Sequence, residues 1–190
     1  MRPAIFLDRD GTLIEDVDYL SALDQMILFP WTVDALRLLS RAGFLIVVVT
    51  NQSAVARGMV TEDFIHETHA ELNERLARGG THIDAFYFCP YHPEAPLAHY
   101  RRNARCRKPE PGMIEDAARD LTIDLTRSWM VGDRWIDVAT GRGAGVRAVL
   151  VKSGHAARTR EAATPGIEAD AILNNLMEAV AWILPRSISR

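Results

Sequence analysis

The chain has 190 residues, with 22 Lys+Arg against 25 Asp+Glu, a formal charge of −3, and 48% hydrophobic and 25% charged residues. That balance belongs to an ordinary globular chain and excludes disorder, collagen or coiled coil as the dominant state. The slight acidic excess also argues against a nucleic-acid binder held mainly by charge.

The longest useful apolar run, residues 44–49, is too short to span a bilayer. Asp8 ends the first apolar run too early for a secretory signal. The expectation is therefore a single domain over 1–190, monomeric and cytoplasmic, with no nucleic-acid or membrane partner. Two cysteines, Cys89 and Cys106, allow one disulfide at most. In a reducing compartment such a pair is more often metal-binding or plain core.

Strand-like and helix-like segments alternate. Ala4–Leu7 is a short apolar run closed by Asp-Arg-Asp-Gly, which reads as a strand buried on both faces. Thr32–Arg41 has near-helical apolar spacing, and Gly43 follows as a stop signal. Residues 44–49 read as a buried central strand. Thr61 opens a helix to residue 76, with Glu62 and Asp63 in the first turn, where acids suit a helix N-terminus. Residues 83–88 form a third strand.

Residues 90–107, with three prolines and no periodicity, form a loop; long loops in compact domains tend to serve function. A helix over 112–120, a strand over 129–131, a short helix over 136–142 and a strand over 146–151 follow. Residues 171–184 read as a closing helix stopped by Pro185, and 186–190 as a frayed tail. This alternation predicts an α/β fold, a Rossmann-like three-layer sandwich with a central parallel sheet. Ligands bind such sheets beyond the carboxyl ends of the strands.

Polar groups stand directly after the apolar runs: Asp8 and Asp10 after the first, Thr50 and Asn51 after the second, Asp133 after the fourth. Each alone could be a turn or cap residue, but together they predict one polar edge. Asp8 and Asp10, at i and i+2 on an extended chain, face the same way. Their mutual repulsion, with Asp133 added, calls for a divalent cation, and such oxygen ligands suit Mg²⁺. Lys108 adds a fixed cation and Thr50 a hydroxyl. Carboxylates, metal, lysine and hydroxyl together suit phosphoryl transfer.

Residues Phe6-Leu7-Asp8-Arg9-Asp10-Gly11-Thr12-Leu13 resemble the first motif of the haloacid dehalogenase-like superfamily. Val49-Thr50-Asn51-Gln52-Ser53 resembles its second, Lys108 its third, and Gly132-Asp133-Arg134-Trp135-Ile136-Asp137 its fourth. The resemblance covers residues 4–151. Asp16-Val17-Asp18-Tyr19, the Ala56-Arg57-Gly58 continuation of motif two, Cys89-Pro90 and Cys106-Arg107-Lys108-Pro109 narrow it to the D-glycero-D-manno-heptose 1,7-bisphosphate 7-phosphatase family, close to histidinol-phosphate phosphatases.

This resemblance implies a capless Mg²⁺-dependent phosphatase, and the stretch from Gly11 to Phe44 is indeed too short for a cap domain. By resemblance, Asp8 is the nucleophile that forms an aspartyl-phosphate, and Asp10 the general acid and base. Thr50 and Lys108 bind phosphoryl oxygens. The metal is held by the Asp8 carboxylate, the Asp10 backbone carbonyl and Asp133. Asp137 either supports the metal shell or caps the short helix.

The resemblance further places Asp16 and Tyr19 on the sugar side, and Asn51, Gln52 and Ser53 on a polar rim. Arg107 and Arg134, with Arg57 as a weaker candidate, meet a remote phosphate. The family's loop zinc uses Cys-x-His and Cys-x-Cys. Here Cys89 and Cys106 keep two ligand positions, while Tyr91 and Ala104 replace the others. A structural Zn²⁺ on Cys89, His92 and Cys106, completed by His99, is the alternative to a metal-free loop held by Tyr91, Pro93 and Pro96. His66 and His69, at i and i+3, read as solvated. Other readings are a histidinol-phosphate or other sugar-phosphate phosphatase, a polynucleotide 3′-phosphatase, and a non-catalytic phosphometabolite-binding protein.

Overall fold

The computed structural model describes residues 1–155 and 165–188, with Ile188 described by its backbone alone. Six strands, β1 (Ala4–Leu7), β2 (Leu45–Asn51), β3 (Ala85–Cys89), β4 (Trp129–Gly132), β5 (Arg147–Val151) and β6 (Ala171–Leu173), form one sheet in the order β3-β2-β1-β4-β5-β6. Every pairing is parallel, with Phe6 opposite Val47 on one side and Met130 on the other. The helices are α1 (Thr32–Arg41), α2 (Ser53–Ala56), α3 (Glu62–Arg78), α4 (Gly112–Leu121), α5 (Trp135–Gly143) and α6 (Leu176–Ile188).

Alternate residues of the strands feed two cores. Ile5, Leu7, Ile46, Val48, Val131 and Val149 pack with Leu36 and Leu39 of α1, Leu72 and Leu76 of α3, and Val180 and Ile183 of α6. Ala4, Phe6, Val47, Val49, Met130 and Ala148 face Met113, Ile114 and Ala117 of α4 and Val138 of α5. Both faces of the sheet are therefore covered. That explains why the strands read as continuous apolar runs rather than alternating ones.

The chain builds outward from β1 to β3 and then returns to lay β4, β5 and β6 on the other side of β1. Where β1 meets β4 the connections diverge, which leaves a crevice at the carboxyl edge of the sheet. Asp8 follows β1 and Asp133 follows β4, so the two carboxylates sit at that crevice.

Most predicted elements appear within a residue or two of their expected bounds. Thr61 caps α3 by accepting from Phe64 N at 3.1 Å, and Gly43 ends α1 with φ +89°. Residues 171–184 are the exception. Ala171–Leu173 forms the edge strand β6 beside β5, and the helix starts only at Leu176. The short apolar run suited either element, and an open edge of β5 decided for strand.

Pro185 does not stop α6, which continues to Ile188. Ser187 is tied into the fold because its Oγ accepts from Trp129 Nε1 at 3.3 Å, and Arg186 stacks on Trp182 at 4.0 Å. Residues 189–190 of the expected tail lie outside the described residues. No described helix is long and apolar enough to cross a membrane.

Candidate active site

Asp8, Asp10, Asp16, Tyr19, Thr50, Asn51, Ser53, Arg107, Lys108 and Arg134 line one cleft of about 660 Å³ at the carboxyl edge of the sheet. Asp133 lies beneath it. Oxygens of Asp8, Asp133 and Asp137 lie within 4.8 Å of one another, and all three residues are buried. Glycines make this density possible. A Cβ on Gly11 or Gly154 would collide with Asp133 Oδ2, and one on Gly132 with Asp137.

Lys108 anchors the cluster. Its Nζ lies 3.0 Å from Asp8 Oδ1 and 2.6 Å from Asp137 Oδ1. Burial works against its charge, but Asp137 and Asp8 more than offset this and hold it above the usual lysine range. The loop that presents it is fixed from β2, since Asn51 Nδ2 donates to Lys108 O at 3.1 Å and Lys108 N donates to Asn51 Oδ1 at 3.0 Å. Asp137 serves two purposes. Oδ1 meets Lys108, and Oδ2 accepts from Arg134 N at 3.0 Å, which caps α5.

Burial pushes the Asp8 carboxyl up to about 7; Lys108 pulls it down, while Asp137 and Asp10 add to the rise. Burial likewise pushes Asp133 up to about 8, with Asp8 and Asp137 contributing. Asp133 Oδ1 is buried and has no hydrogen-bond partner among the described residues, whereas Oδ2 accepts from His155 N at 2.5 Å. An orphaned carboxylate oxygen among acids that resist ionisation is the environment a divalent cation relieves, and the all-oxygen donor set fits Mg²⁺.

Asp10 is held differently. Arg9 Nη2 pairs with its Oδ2 at 3.0 Å, and Gln52 Nε2 donates to the same oxygen at 3.0 Å and to Thr50 Oγ1 at 2.9 Å. Its carboxylate is thus fixed by Arg9 and Gln52. Gln52 was expected on the polar rim; instead it is buried and holds Asp10 and Thr50. Asn51 reaches the cleft, but its amide is committed to the Lys108 backbone. In both cases an inward amide satisfies buried partners that would otherwise go unpaired.

The wall of the cleft is more open. Tyr19 is half-exposed, and Arg57 lies over its ring at 5.7 Å. Arg107 donates to Tyr91 O at 3.0 Å. Its pKa is lowered by burial and then by the Arg134 and Arg57 charges, and Arg107 and Arg134 both line the cleft.

The loop before Lys108 differs from the zinc expectation. Cys89 and Cys106 form a disulfide with each other. Neither sulfur is then a thiolate, the form that zinc requires. His92 Nδ1 accepts from Glu94 N at 3.1 Å, and exposed His99 lies against Tyr100. Arg101 Nε donates to Ala95 O at 2.6 Å, and Arg102 stacks on Tyr91 at 3.7 Å. Neighbouring groups and the disulfide hold this loop, without the Cys89–His92–Cys106 trio.

Sequence reasoning passed over several residues. Arg9 and the 153–155 segment beyond β5 help build the site, and Ser153 Oγ donates to Gly11 O at 2.7 Å. The rule that singled out Asp8 and Asp133, a polar group just after an apolar run, also points to Ser153. His69, expected to be solvated, is buried and stacked on Phe86 at 4.4 Å.

Residues 105–179 match the HAD-hydrolase-like family model. The chain is 39% identical over 187 residues to D-glycero-beta-D-manno-heptose-1,7-bisphosphate 7-phosphatase of Yersinia pestis, covering 98% of this chain and 95% of that protein. It is 41% identical over 157 residues to the D-glycero-D-manno-heptose-1,7-bisphosphate 7-phosphatase of Chlorobaculum tepidum, covering 80% and 79%. Its fold is similar to the crystal structure of D,D-heptose 1,7-bisphosphate phosphatase from B. bronchiseptica complexed with magnesium and phosphate. The TM-score is 0.83 at 31% identity, covering 97% of this chain and 99% of that one. The chain therefore belongs to the heptose-1,7-bisphosphate 7-phosphatase family of HAD-like hydrolases and is a phosphoric monoester hydrolase.

Proposed function

We propose that the chain removes the 7-phosphate of D-glycero-D-manno-heptose 1,7-bisphosphate through an aspartyl-phosphate on Asp8. The observation that carries this reading is the polarity of the cleft. A buried Asp8–Lys108 pair stands at its floor, and Arg107 and Arg134 line its wall, with Arg57 over the ring of Tyr19. A substrate with phosphates at both ends matches those two charged ends, and arginine's planar fork suits the remote phosphate.

Asp8 attacks phosphorus in line, and the P–O bond to the sugar breaks. Asp10 gives a proton to the departing alkoxide and later takes one from the water that attacks the acyl-phosphate. Thr50 and Lys108 bind the phosphoryl oxygens, and Lys108 also offsets repulsion between Asp8 and the anionic substrate. Mg²⁺, held by the Asp8 and Asp133 carboxylates and the Asp10 backbone carbonyl, would neutralise charge on the transferring group. Asp16, Tyr19 and Ser53 face the sugar. On this reading residues 1–190 form one cytoplasmic, monomeric phosphatase domain.

The test is a ranking of sugar bisphosphates, sugar monophosphates and histidinol phosphate by kcat/KM with Mg²⁺ present. The heptose bisphosphate is expected first. A histidinol phosphate that outranked every bisphosphate would reassign the arginine wall.

A further inference from the structure

A second cavity, of about 60 Å³, lies at the amino edge of the sheet, opposite the cleft. Pro3 ahead of β1, Phe44 ahead of β2, Arg127 ahead of β4 and Arg147 at the start of β5 line it, and Arg186 joins them from the end of α6. Three of the lining residues are thus arginines, and none of the described ones is acidic. The chain as a whole carries a formal charge of −3, so this is a local reversal of sign. Like charges gathered on one small cavity repel, the more so where protein displaces water.

The arginines are held in place by aromatic rings. The Arg147 guanidinium lies 3.6 Å from the centre of the Trp129 ring, and that of Arg186 lies 4.0 Å from the centre of the Trp182 ring. The two rings meet edge to face at 5.5 Å, so both guanidiniums rest on one aromatic pair. Arg186 Nη1 also donates to Trp182 O at 2.8 Å. Stacking engages the face of a guanidinium and leaves N–H groups at its edge for an oxyanion. Asp124, the acid nearest to Arg127 in sequence, accepts instead from Thr126 N at 3.1 Å and Thr126 Oγ1 at 2.7 Å. Among the described residues neither Arg127 nor Arg186 forms an ion pair. Arg2 adds a fourth positive charge nearby, where its Nη2 donates to Gly43 O at 3.4 Å, beside Phe44 of the lining.

We propose that this cavity is a second anion site, which binds one phosphate group between Arg127, Arg147 and Arg186. Size limits the ligand. One buried water needs roughly 10–15 Å³ of such space, so the cavity has room for a few waters or one small tetrahedral oxyanion. Arginine forks pair with phosphate oxygens through charge-assisted bonds, which fits the lining. The site is independent of the catalytic reading, because no residue of the cleft takes part in it.

The test is a titration of the metal-free full-length protein with inorganic phosphate at constant ionic strength, followed by the tryptophan indole N–H signals. Trp129 and Trp182, under the arginines, should shift together and saturate with a Kd of about 1 mM. Trp135, next to Arg134 of the cleft, reports phosphate in the catalytic site separately. Arg127→Gln and Arg186→Gln, both at exposed positions, should each weaken the Trp129 and Trp182 response about tenfold. Both should leave kcat/KM within about twofold of the parent.

Glycerol 3-phosphate separates the two sources of such a group. Weaker binding than the free ion assigns the site to inorganic phosphate, and tighter binding assigns it to the phosphate of an ester; either supports an oxyanion site. A Trp129 and Trp182 response that does not saturate, that chloride reproduces, or that survives both substitutions at full affinity would overturn the proposal.

Discussion

The floor and the wall of the cleft are built on different physical terms. On the floor, Asp8, Lys108, Asp133 and Asp137 are all buried, each bonded to a neighbour or poised for a cation, and the glycines around them leave no spare volume. On the wall, Tyr19, Arg57, Arg107 and Arg134 are exposed or half-buried, and Arg57 and Arg107 meet their neighbours through a ring face and a backbone carbonyl. Chemistry on phosphorus needs a fixed, low-dielectric array, where charge acts strongly and costs no reorganisation. Recognition of the rest of a substrate tolerates long side chains at a solvent boundary. Damage to the floor should therefore remove turnover, and damage to the wall should change which substrate is preferred.

The largest effect should come from Asp8→Asn. Loss of the attacking oxygen is expected to lower kcat by at least about 1,000-fold, read as phosphate release. A variant that kept pace with the parent would refute the nucleophile assignment. Next, chelation by EDTA should abolish turnover and added Mg²⁺ should restore it; activity that survived exhaustive metal removal would contradict the fit of Asp133 Oδ1 to a cation.

Asp137→Ala tests the floor from behind. It strands the buried Lys108 charge and uncaps α5, so chemical denaturation should show a loss of about 3–5 kcal/mol, with kcat falling about 100-fold. A stable variant with normal kcat would show that Lys108 is positioned by Asp8 alone. On the wall, Arg107→Ala should raise KM for a bisphosphate about tenfold relative to a monophosphate, since one lost charge-assisted bond is of that order. An equal rise for both substrates would place Arg107 outside the remote-phosphate subsite.

The smallest effect concerns pH. Without a metal, burial pushes the Asp8 carboxyl up to about 7 and that of Asp133 up to about 8, from the ordinary value of 3.8. The native state then binds more protons than the unfolded state between roughly pH 4 and 8, so stability falls as pH rises through that window. The metal-free Tm should decline between those limits, and saturating Mg²⁺, which binds the ionised form, should flatten the slope. A metal-free Tm that rose with pH over the same range would contradict these shifts.

The sequence by itself determined the first five strands of the sheet and the carboxylates at their ends. Runs such as Ala4–Leu7 and the residues ahead of Asp133 are apolar on both faces, because helices cover both sides of a parallel sheet. The polar residue just after each run then has only the carboxyl edge to occupy. This is why the sequence places Asp8, Thr50 and Asp133 at one edge, where Asp8 and Thr50 line the cleft and Asp133 lies beside Asp8.

The tertiary structure decided what depends on neighbours distant along the chain. Ala171–Leu173 became a strand because β5 offered an open edge, and α6 ran past Pro185 because Trp129 and Trp182 hold its last turn. Gln52 turned inward because Asp10 and Thr50 needed its amide, and Cys89 paired with Cys106 across the loop. His69, polar by composition, was buried against Phe86. Periodicity records which face of an element is covered. It carries no record of which side chain from another element will stand opposite, and that pairing sets how an amide, a thiol or an imidazole is used.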